Sequence, residues 1–318
     1  MAENDMRVPV YLITGFLESG KTSFLDYTVR QDYFQIDEPT LLINTEEGEE
    51  EYDPKAMLKY GVLYADVTEQ EEFTEKKLAE LDRKYHPGRV VIEYNPLWSV
   101  KAFEDMKLPK GWWLMQEIVT VDASTFQIYQ NNMKSLFVEM SRNADMVLFN
   151  RCTDDLPLAN FRRSIKVVNP GCEIMFEDMD REVIDIFEDS VPYDLNAPVI
   201  DVEDLDYGIF YVDLRDNPKR YLGKKAHFRG RILKSKQENA PYFVPGRMAM
   251  TCCAEDTQFI GYVCEYKDSP SLPMGEWVEV TAEIQWKYMK VYKGKGPVFR
   301  ALSVKPTTAP EQDLVYFS

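Results

Sequence analysis

The first part of the chain alternates between short apolar runs and segments of helical composition. The apolar runs are nearly continuous, which is typical of strands that are buried on both faces. These runs cover residues 8–14, 39–44, 89–93, 113–121 and 144–150. The segments of helical composition cover residues 23–31, 69–84, 126–141 and 180–187. The alternation predicts an α/β domain in which helices cover both faces of a parallel sheet.

The pattern changes near residue 207, where strand-like stretches separated by Gly, Pro and Asn turns replace the alternation. These stretches cover residues 221–236, 242–253, 259–265, 277–284 and 298–304. Five or six strands without helical periodicity predict a smaller all-β barrel, of the OB type. We therefore expect three parts, an α/β domain at 1–195, a linker at 196–208 and a barrel at 209–318.

Charge is distributed unevenly along the 318 residues. The whole chain carries a net charge of −17, which argues against general nucleic-acid binding. Residues 209–305 nevertheless contain 17 Lys and Arg against 10 Asp and Glu, a net of +7, which leaves −24 for the rest. The opposite signs support the predicted boundary. They also indicate either docking between the two parts or an anionic partner for the barrel.

The hydropathy, the charge and the cysteine spacing of the sequence bear on where the protein is located. No apolar run approaches the ~20 residues that span a bilayer, and the chain starts with an acidic segment where a signal peptide would be basic. The five cysteines have no regular spacing and form no disulfide framework. We expect a cytoplasmic protein without membrane insertion.

A complete phosphate-binding motif follows the first apolar run. Residues 15–23 contain G-x-x-x-x-G-K-T between a strand and a helix-compatible segment, which is the context in which this motif forms a P-loop. We expect Lys21 to bind the β- and γ-phosphates and Thr22 to bind Mg²⁺. The expected nucleotide-binding residues of the loop are Gly15, Glu18, Ser19, Gly20, Lys21, Thr22 and Ser23.

Polar residues end several of the predicted strands, at the edge where parallel sheets bind ligands. Glu93 is expected to hold Mg²⁺ or to position the attacking water, which makes it a catalytic candidate together with Lys21; the alternative is a cap of the turn at 95–96. Asp122 is expected either near the Mg²⁺ or as a cap of the helix that begins near Ser124.

Several of these segments resemble the CobW-type metallochaperone GTPases, the group related to HypB and UreG. Residues 15–23 resemble the family's G-F-L-G-A-G-K-T-T, with Glu18 for Gly, and residues 44–53 resemble its N-E-F-G-E-x-G-x-D switch segment. Residues 90–93, 119–123 and 144–150 are similar to the strands that follow. The resemblance covers residues 7–190 and implies a GTPase that uses GTP and Mg²⁺ and takes part in metal homeostasis or delivery.

Two segments depart from the family. Its C-x-C-C metal motif should lie between the switch segment and the strand at 89–93, but residues 60–72 contain no cysteine. Its N-K-x-D guanine signature is altered, because Asn150 and Arg151 are followed by a carboxylate one position late, at Asp154. We expect Asn150 and Arg151 to contact the base, joined by Asp154 if the loop shifts, and the choice between GTP and ATP stays open.

The second part resembles the C-terminal domain of YcgQ-like proteins, which are described as partners of a permease. Residues 250–256 and 277–280 carry the similarity, preceded by Phe243 and Arg247 and followed by Pro310 and Tyr316. The resemblance implies a permease-like partner or a metal-dependent client protein.

Candidate metal ligands lie in both parts. The acidic loop at 45–53 is expected either to bind a hard cation or to act as a nucleotide-sensitive switch, and Glu49 is its residue that matches the family's switch segment. Cys252 and Cys253 form an adjacent thiol pair. Neighbouring residues on a strand point to opposite faces, so both thiols bind one Zn²⁺ or other transition metal only where the strand ends or bulges. The residues that could complete such a site are Cys264, Glu255, Asp256 and His227. Cys152 and Cys172 are expected to be buried and structural, and His86 to be a turn residue.

Our leading interpretation is a Mg²⁺-dependent GTPase whose nucleotide state controls how the barrel engages a metal or a partner. The alternative is a nucleotide-binding adaptor without turnover, whose basic barrel binds a protein or single-stranded nucleic acid. Aromatic residues among the basic ones would suit such stacking, although aromatic residues on strands more often form a core. They are Tyr211, Tyr221, Phe228, Tyr242, Phe243, Trp286 and Tyr288.

Overall fold

The computed structural model describes residues 8–48, 52–184, 191–234, 240–250 and 257–315. The chain divides into two compact units between residues 186 and 187. Among the described residues, no helix is both long and apolar enough to cross a membrane.

The first unit is built on a seven-stranded sheet of order β3-β2-β4-β1-β5-β6-β7. Each neighbouring pair in this order is parallel. The strands are β1 (Val8–Thr14), β2 (Thr40–Asn44), β3 (Val62–Asp66), β4 (Arg89–Glu93), β5 (Trp112–Asp122), β6 (Met146–Asn150) and β7 (Glu173–Phe176). The helices are α1 (Lys21–Val29), α2 (Pro54–Leu58), α3 (Glu75–Tyr85), α4 (Val100–Glu104), α5 (Phe126–Asn132), α6 (Lys134–Arg142) and α7 (Leu158–Val168).

Side chains from the two faces of this sheet enter two apolar cores. On β1, Val10 and Leu12 belong to the larger core, whereas Ile13 packs in a second core with Leu25 and Val29 of α1. Because successive side chains of a strand point to opposite faces, β1 contributes to both cores, and Val10, Leu12 and Ile13 are all apolar for this reason. The predicted parallel sheet with helices on both faces is therefore confirmed.

The register of the sheet brings the predicted polar positions together. Glu93 pairs with Ile13 on one side and with Asn44 on the other, and Asp122 pairs with Asn150. These residues end their strands at one edge, where the loop between β1 and α1 also begins. The order of the strands thus places the phosphate-binding motif at the centre of this edge.

The second unit contains a mixed sheet in which five strands close into a ring. The ring runs β9-β10-β12-β14-β13 and returns to β9; the β12–β14 pair is parallel and the other pairs are antiparallel. The elements of the unit are β8 (Ile200–Asp201), α8 (Tyr207–Asp216), β9 (Lys225–Lys234), β10 (Tyr242–Met250), β11 (Thr257–Gly261), β12 (Val263–Glu265), β13 (Trp277–Met289), β14 (Gly294–Pro306) and β15 (Leu314–Val315). The predicted barrel is confirmed, and its assignment to the OB type stays a prediction.

An aromatic core fills this barrel. Phe210 of α8 lies against Phe228 and Phe299, with ring centroids 5.8 and 6.1 Å apart, and also contacts Tyr221. The helix α8 was not expected, because a segment rich in aromatic and β-branched residues suggests a strand. Packing of its apolar residues onto the barrel overrides that preference.

Three other expectations about elements differ from the structure. The helix predicted at 126–141 is divided into α5 and α6 at Met133, whose φ of −131° is not helical. Of the helix predicted at 180–187, residues 180–184 instead form a turn and a β-bridge. The side chain of Asp178 explains the turn, because it accepts the N–H groups of Asp180 and Glu182. The segment predicted as a linker, 196–208, contains β8, which pairs with β9; the boundary at 195 stays a prediction.

Candidate nucleotide-binding site

Two glycines shape the loop between β1 and α1. Gly15 and Gly20 have φ angles of +144° and +88°. A Cβ atom on Gly15 would lie 2.2 Å from the carbonyl oxygen of Thr120, and one on Gly20 would lie 2.8 Å from Nδ2 of Asn150. Since neither position has room for a side chain, the loop folds closely around the point that its N–H groups face.

The side chain of Lys21 is almost fully buried, with 4% of its surface exposed. Its Nζ donates hydrogen bonds to the carbonyl oxygens of Gly15 (2.8 Å) and Phe16 (2.9 Å). A third contact, also 2.8 Å, joins Nζ to Oε2 of Glu46 in the segment that follows β2. The ammonium group is therefore held inside the loop and neutralised by a carboxylate.

Glu93 connects the loop to the segment after residue 51. Its Oε1 accepts a hydrogen bond of 2.8 Å from the Thr22 hydroxyl, and its Oε2 accepts one from the Tyr52 hydroxyl. Burial raises the pKa of Glu93, while these two hydrogen bonds act in the opposite direction. Burial likewise raises the pKa of Tyr52, with the charge of Glu93 next in importance, so the phenol keeps its proton and acts as the donor.

Two further residues line the opposite side of the loop. The guanidinium group of Arg151 pairs with Asp122 and donates to the carbonyl oxygen of Glu18 at 3.1 Å. Asp122 also accepts the N–H and the hydroxyl of Ser124, at 2.9 and 2.6 Å. Asp122 thus bonds within the turn before α5 and is not the cap of that helix, because α5 begins at Phe126 and its N-cap, Thr125, has no side-chain cap. The other oxygen of Asp122 is bound to Arg151. Glu18 lies at a left-handed φ of 61°, at the position where the family's motif has glycine.

The predicted base-binding residues are divided by the structure. Asn150 donates from Nδ2 to the carbonyl oxygen of Ser19 at 2.8 Å and so supports the loop. Asp154 is exposed in a turn and is not among the residues that line the cavity around Lys21.

Ser23 is the last residue predicted for the phosphate-binding loop. Its hydroxyl accepts a hydrogen bond of 2.7 Å from Arg181, whose guanidinium also lies 4.5 Å from the ring centre of Tyr27.

These contacts surround a cavity of about 330 Å³ at the carboxyl edge of the sheet. Four of the ten lining residues are carboxylates and two are cations. The cavity is lined by Leu17, Glu18, Gly20, Lys21, Thr22, Glu46, Gly48, Glu93, Asp122 and Arg151. A phosphate group could bind here only against the Lys21 ammonium and the N–H groups of the loop, with a cation to offset the carboxylates.

Five candidate metal ligands lie outside the described residues, namely Glu49, Cys252, Cys253, Glu255 and Asp256. His227 shares a hydrogen bond of 3.1 Å between Nδ1 and the Thr281 hydroxyl. Over the described ranges, no group of three or more His, Cys, Asp and Glu residues has a metal-binding arrangement.

The three described cysteines are buried. Burial raises the pKa of Cys152 to about 12 and that of Cys172 to about 11, so both thiols stay protonated, as a structural role requires. Cys264 is also in an apolar environment that raises its pKa. His86 is the left-handed residue that ends α3, as expected of a turn residue.

The aromatic residues of the barrel mostly form its core. Tyr221, Phe228 and Phe243 are buried, whereas Trp286 and Tyr288 are 36% and 62% exposed near the end of β13. Tyr211 and Tyr242 are half-buried, so two of the seven rings expected to stack on single-stranded nucleic acid are exposed and two more are partly accessible.

Sequence reasoning missed three residues of the site, Glu46, Tyr52 and Arg181. Glu46 is one of five glutamates in the acidic loop at 45–53, and no local signal separates it from the others. Tyr52 precedes Asp53, which caps α2 by accepting the N–H groups of Lys55 and Ala56. The pair Asp53 and Pro54 is a typical helix start, and from it Tyr52 could have been placed just before α2, near the ends of the strands.

The fold and the site together define a P-loop nucleotide-binding domain joined to a β-barrel. Residues 9–176 match the nucleotide-binding domain of the CobW/HypB/UreG family, and the chain belongs to that family. Residues 185–317 match the DUF1980 C-terminal domain. The comparison with curated proteins found no match.

Solved structures with a similar fold include two proteins of low sequence identity. The hydrogenase maturation factor HypB from Archaeoglobus fulgidus is 16% identical over 54% of this chain and 82% of its own, with a TM-score of 0.40. The Zn(II)-bound YjiA GTPase from E. coli is 22% identical over 56% of this chain and 59% of its own, with a TM-score of 0.42.

Proposed function

We propose that this protein binds GTP with Mg²⁺ and hydrolyses it. One observation carries the proposal: the Lys21 ammonium and the hydrogen-bonded pair of Thr22 and Glu93 line the same cavity, at the carboxyl edge of a parallel sheet. Membership of the CobW/HypB/UreG family supports a nucleotide as the ligand.

The residues present fit the chemistry of phosphoryl transfer. Negative charge builds up on the phosphate oxygens in the transition state, where the Lys21 ammonium and the N–H groups of the loop can stabilise it. The Thr22 hydroxyl and the Glu93 carboxylate are oxygen donors of the kind that Mg²⁺ prefers. When bound, Mg²⁺ would neutralise charge on the phosphates. Glu93 would hold that cation or orient the attacking water.

Turnover of GTP measures the proposed activity. With Mg²⁺ present, we expect Lys21→Ala to lose about 10²-fold or more of the wild-type rate, since a charge that acts in the transition state is removed. Lys76→Ala, on the exposed face of α3, is the matched control and should keep the full rate. A wild-type rate equal to that of Lys21→Ala would reject hydrolysis and favour the alternative, a nucleotide-binding adaptor without turnover.

The choice of guanine is the finer part of the proposal. Asn150 supports the loop through the carbonyl oxygen of Ser19, and Asp154 lies in the exposed turn that follows. We expect a fluorescent GTP analogue to bind more tightly than the matching ATP analogue, and Asp154→Ala to weaken only the former. Tighter binding of ATP would reject the guanine assignment.

We also propose a role in metal homeostasis, in the cytoplasm, with a client or permease-like partner. The two domain matches support this role, and the irregular spacing of the five cysteines supports the cytoplasm. The thiol pair Cys252 and Cys253 is the sequence feature that would bind Zn²⁺ or another transition metal. A Co²⁺ titration of the wild type and of the double variant Cys252→Ser/Cys253→Ser tests it, because thiolate ligands give intense charge-transfer bands. Equal affinities would remove the thiol site.

A further inference from the structure

We infer that Glu46 blocks the phosphate site by occupying Lys21 in the absence of nucleotide. This inference rests on the proposed nucleotide binding and concerns its regulation. Oε2 of Glu46 lies 2.8 Å from Nζ of Lys21, and the two side chains are 9% and 3% exposed. A carboxylate is therefore bound where the P-loop lysine would meet a phosphate oxygen.

The backbone around Glu46 is fixed so that its side chain can reach the loop. The Thr45 hydroxyl donates to the carbonyl oxygen of Glu93 at 2.9 Å and accepts the N–H of Asn95 at 2.8 Å. Asn44 donates from Nδ2 to the carbonyl oxygen of Glu46 itself, also at 2.8 Å. These hydrogen bonds hold the backbone on which the ion pair depends: Thr45 is tied to Glu93 and Asn95, and the carbonyl group of Glu46 is tied to Asn44.

The other cation of the cavity does not offer a free site. Arg151 is bound to Asp122 and to the carbonyl oxygen of Glu18. A triphosphate that enters the cavity must therefore take Lys21 from Glu46. Because a buried charge without a partner is costly, the ammonium and the carboxylate stabilise each other until a phosphate replaces the carboxylate.

A second contact from the same region involves the predicted Mg²⁺ ligands. The Tyr52 hydroxyl donates to Glu93, whose other oxygen accepts from Thr22. Glu46 and Tyr52 thus engage both parts of the site, the ammonium and the carboxylate. A nucleotide that displaces Glu46 from Lys21 would therefore also change the position of the segment after β2, which contains Glu46.

Nucleotide affinity of Glu46→Gln tests the inference. The amide has nearly the shape of the carboxylate but no charge, so it cannot neutralise Lys21. We expect its dissociation constant for a non-hydrolysable GTP analogue with Mg²⁺ to be about ten-fold lower than that of the wild type, which corresponds to about 1.4 kcal/mol. Glu47→Gln makes the same change of charge at the neighbouring exposed position and should alter the constant less than two-fold.

The possible results separate this inference from the proposed function. Binding by Glu46→Gln but not by the wild type would support the block strongly. Wild-type binding that Glu46→Gln and Glu47→Gln change equally, or that Glu46→Gln weakens, would overturn the block and leave nucleotide binding intact. No binding by any of the three proteins would reject both. A double-mutant cycle of unfolding between Lys21→Met and Glu46→Gln checks the ion pair without nucleotide; additive effects would overturn it.

Discussion

The hydroxyl of Thr22, at the start of α1, donates a hydrogen bond of 2.8 Å to the carboxylate of Glu93, at the end of β4. The two residues are 71 positions apart in the sequence, and the parallel pairing of β1 with β4 brings them together. A hydroxyl and a carboxylate at this distance can serve as neighbouring oxygen ligands of one Mg²⁺.

Loss of either partner should therefore reduce activity that depends on Mg²⁺. We expect Thr22→Ala and Glu93→Gln each to lower GTP turnover by about 10²-fold and to raise the Mg²⁺ concentration needed for half-maximal rate. Thr28→Ala, in the same helix, removes a hydroxyl that donates to the carbonyl oxygen of Phe24 and does not line the cavity; it should leave both quantities unchanged. Unaltered Mg²⁺ dependence in both site variants would show that the pair binds no cation.

Gly20 should tolerate no side chain. Its φ is +88°, and an added Cβ would meet Nδ2 of Asn150 at 2.8 Å, the atom that supports the loop. We expect Gly20→Ala to abolish measurable nucleotide binding in calorimetry. Gly61→Ala is the control, because Gly61 also has a positive φ, of +70°, but has open space around its Cβ. That variant should lose about 1 kcal/mol of stability and keep its affinity; equal affinity in the two variants would contradict the clash.

Glu18 should be an unfavourable residue at its position. It adopts the left-handed φ of 61° that glycine takes at little cost, and it adds a negative charge to the cavity that is proposed to bind phosphate. We expect Glu18→Gly to raise the free energy of unfolding by about 1 kcal/mol and to tighten nucleotide binding several-fold. Glu47→Gly removes a charge from an exposed position whose φ is not positive and should be destabilising instead. Thermal unfolding with and without nucleotide measures both effects.

Local patterns were sufficient to predict where the main site residues lie. The glycine spacing around Lys21 and the apolar strands that end at Glu93 and Asn150 predicted that these residues meet, because parallel strands end at one edge. The same reasoning could not choose the glutamate that binds Lys21. That choice depends on how the chain turns after Asn44, and this turn is fixed by hydrogen bonds of Thr45 with Glu93 and Asn95, which are 48 and 50 positions further along the chain.

The barrel was predicted from its strands, but its helix and its exposed rings were not. Its strands were visible as stretches between turn residues, but α8 was not, because Phe210 and its neighbours pack according to the tertiary environment. The exposure of Trp286 and Tyr288, in contrast to the buried Tyr221, also depends on where β13 extends beyond the closed ring. Composition alone does not contain that information.

A pH-dependent loss of stability should arise from Glu117 of β5. This residue is 5% exposed, and burial raises its pKa to about 7, with the charges of Glu104 and Asp145 acting in the same direction. In the unfolded chain the carboxyl ionises near its ordinary pKa of 4.5. Between these two values the unfolded state has lost the proton that the folded state keeps, so stability falls as the pH rises and levels off above about 7.

Glu117→Gln should remove this dependence, because the amide cannot ionise. We expect Glu117 to lower the free energy of unfolding of the wild type, measured in urea, by roughly 1–2 kcal/mol between pH 5 and pH 8, once partial solvent screening is allowed for. The variant should lose that much less than the wild type over the same interval, while Glu69→Gln, at an exposed position, should follow the wild type. Parallel curves for Glu117→Gln and the wild type would mean that Glu117 is already ionised in the folded protein at pH 5.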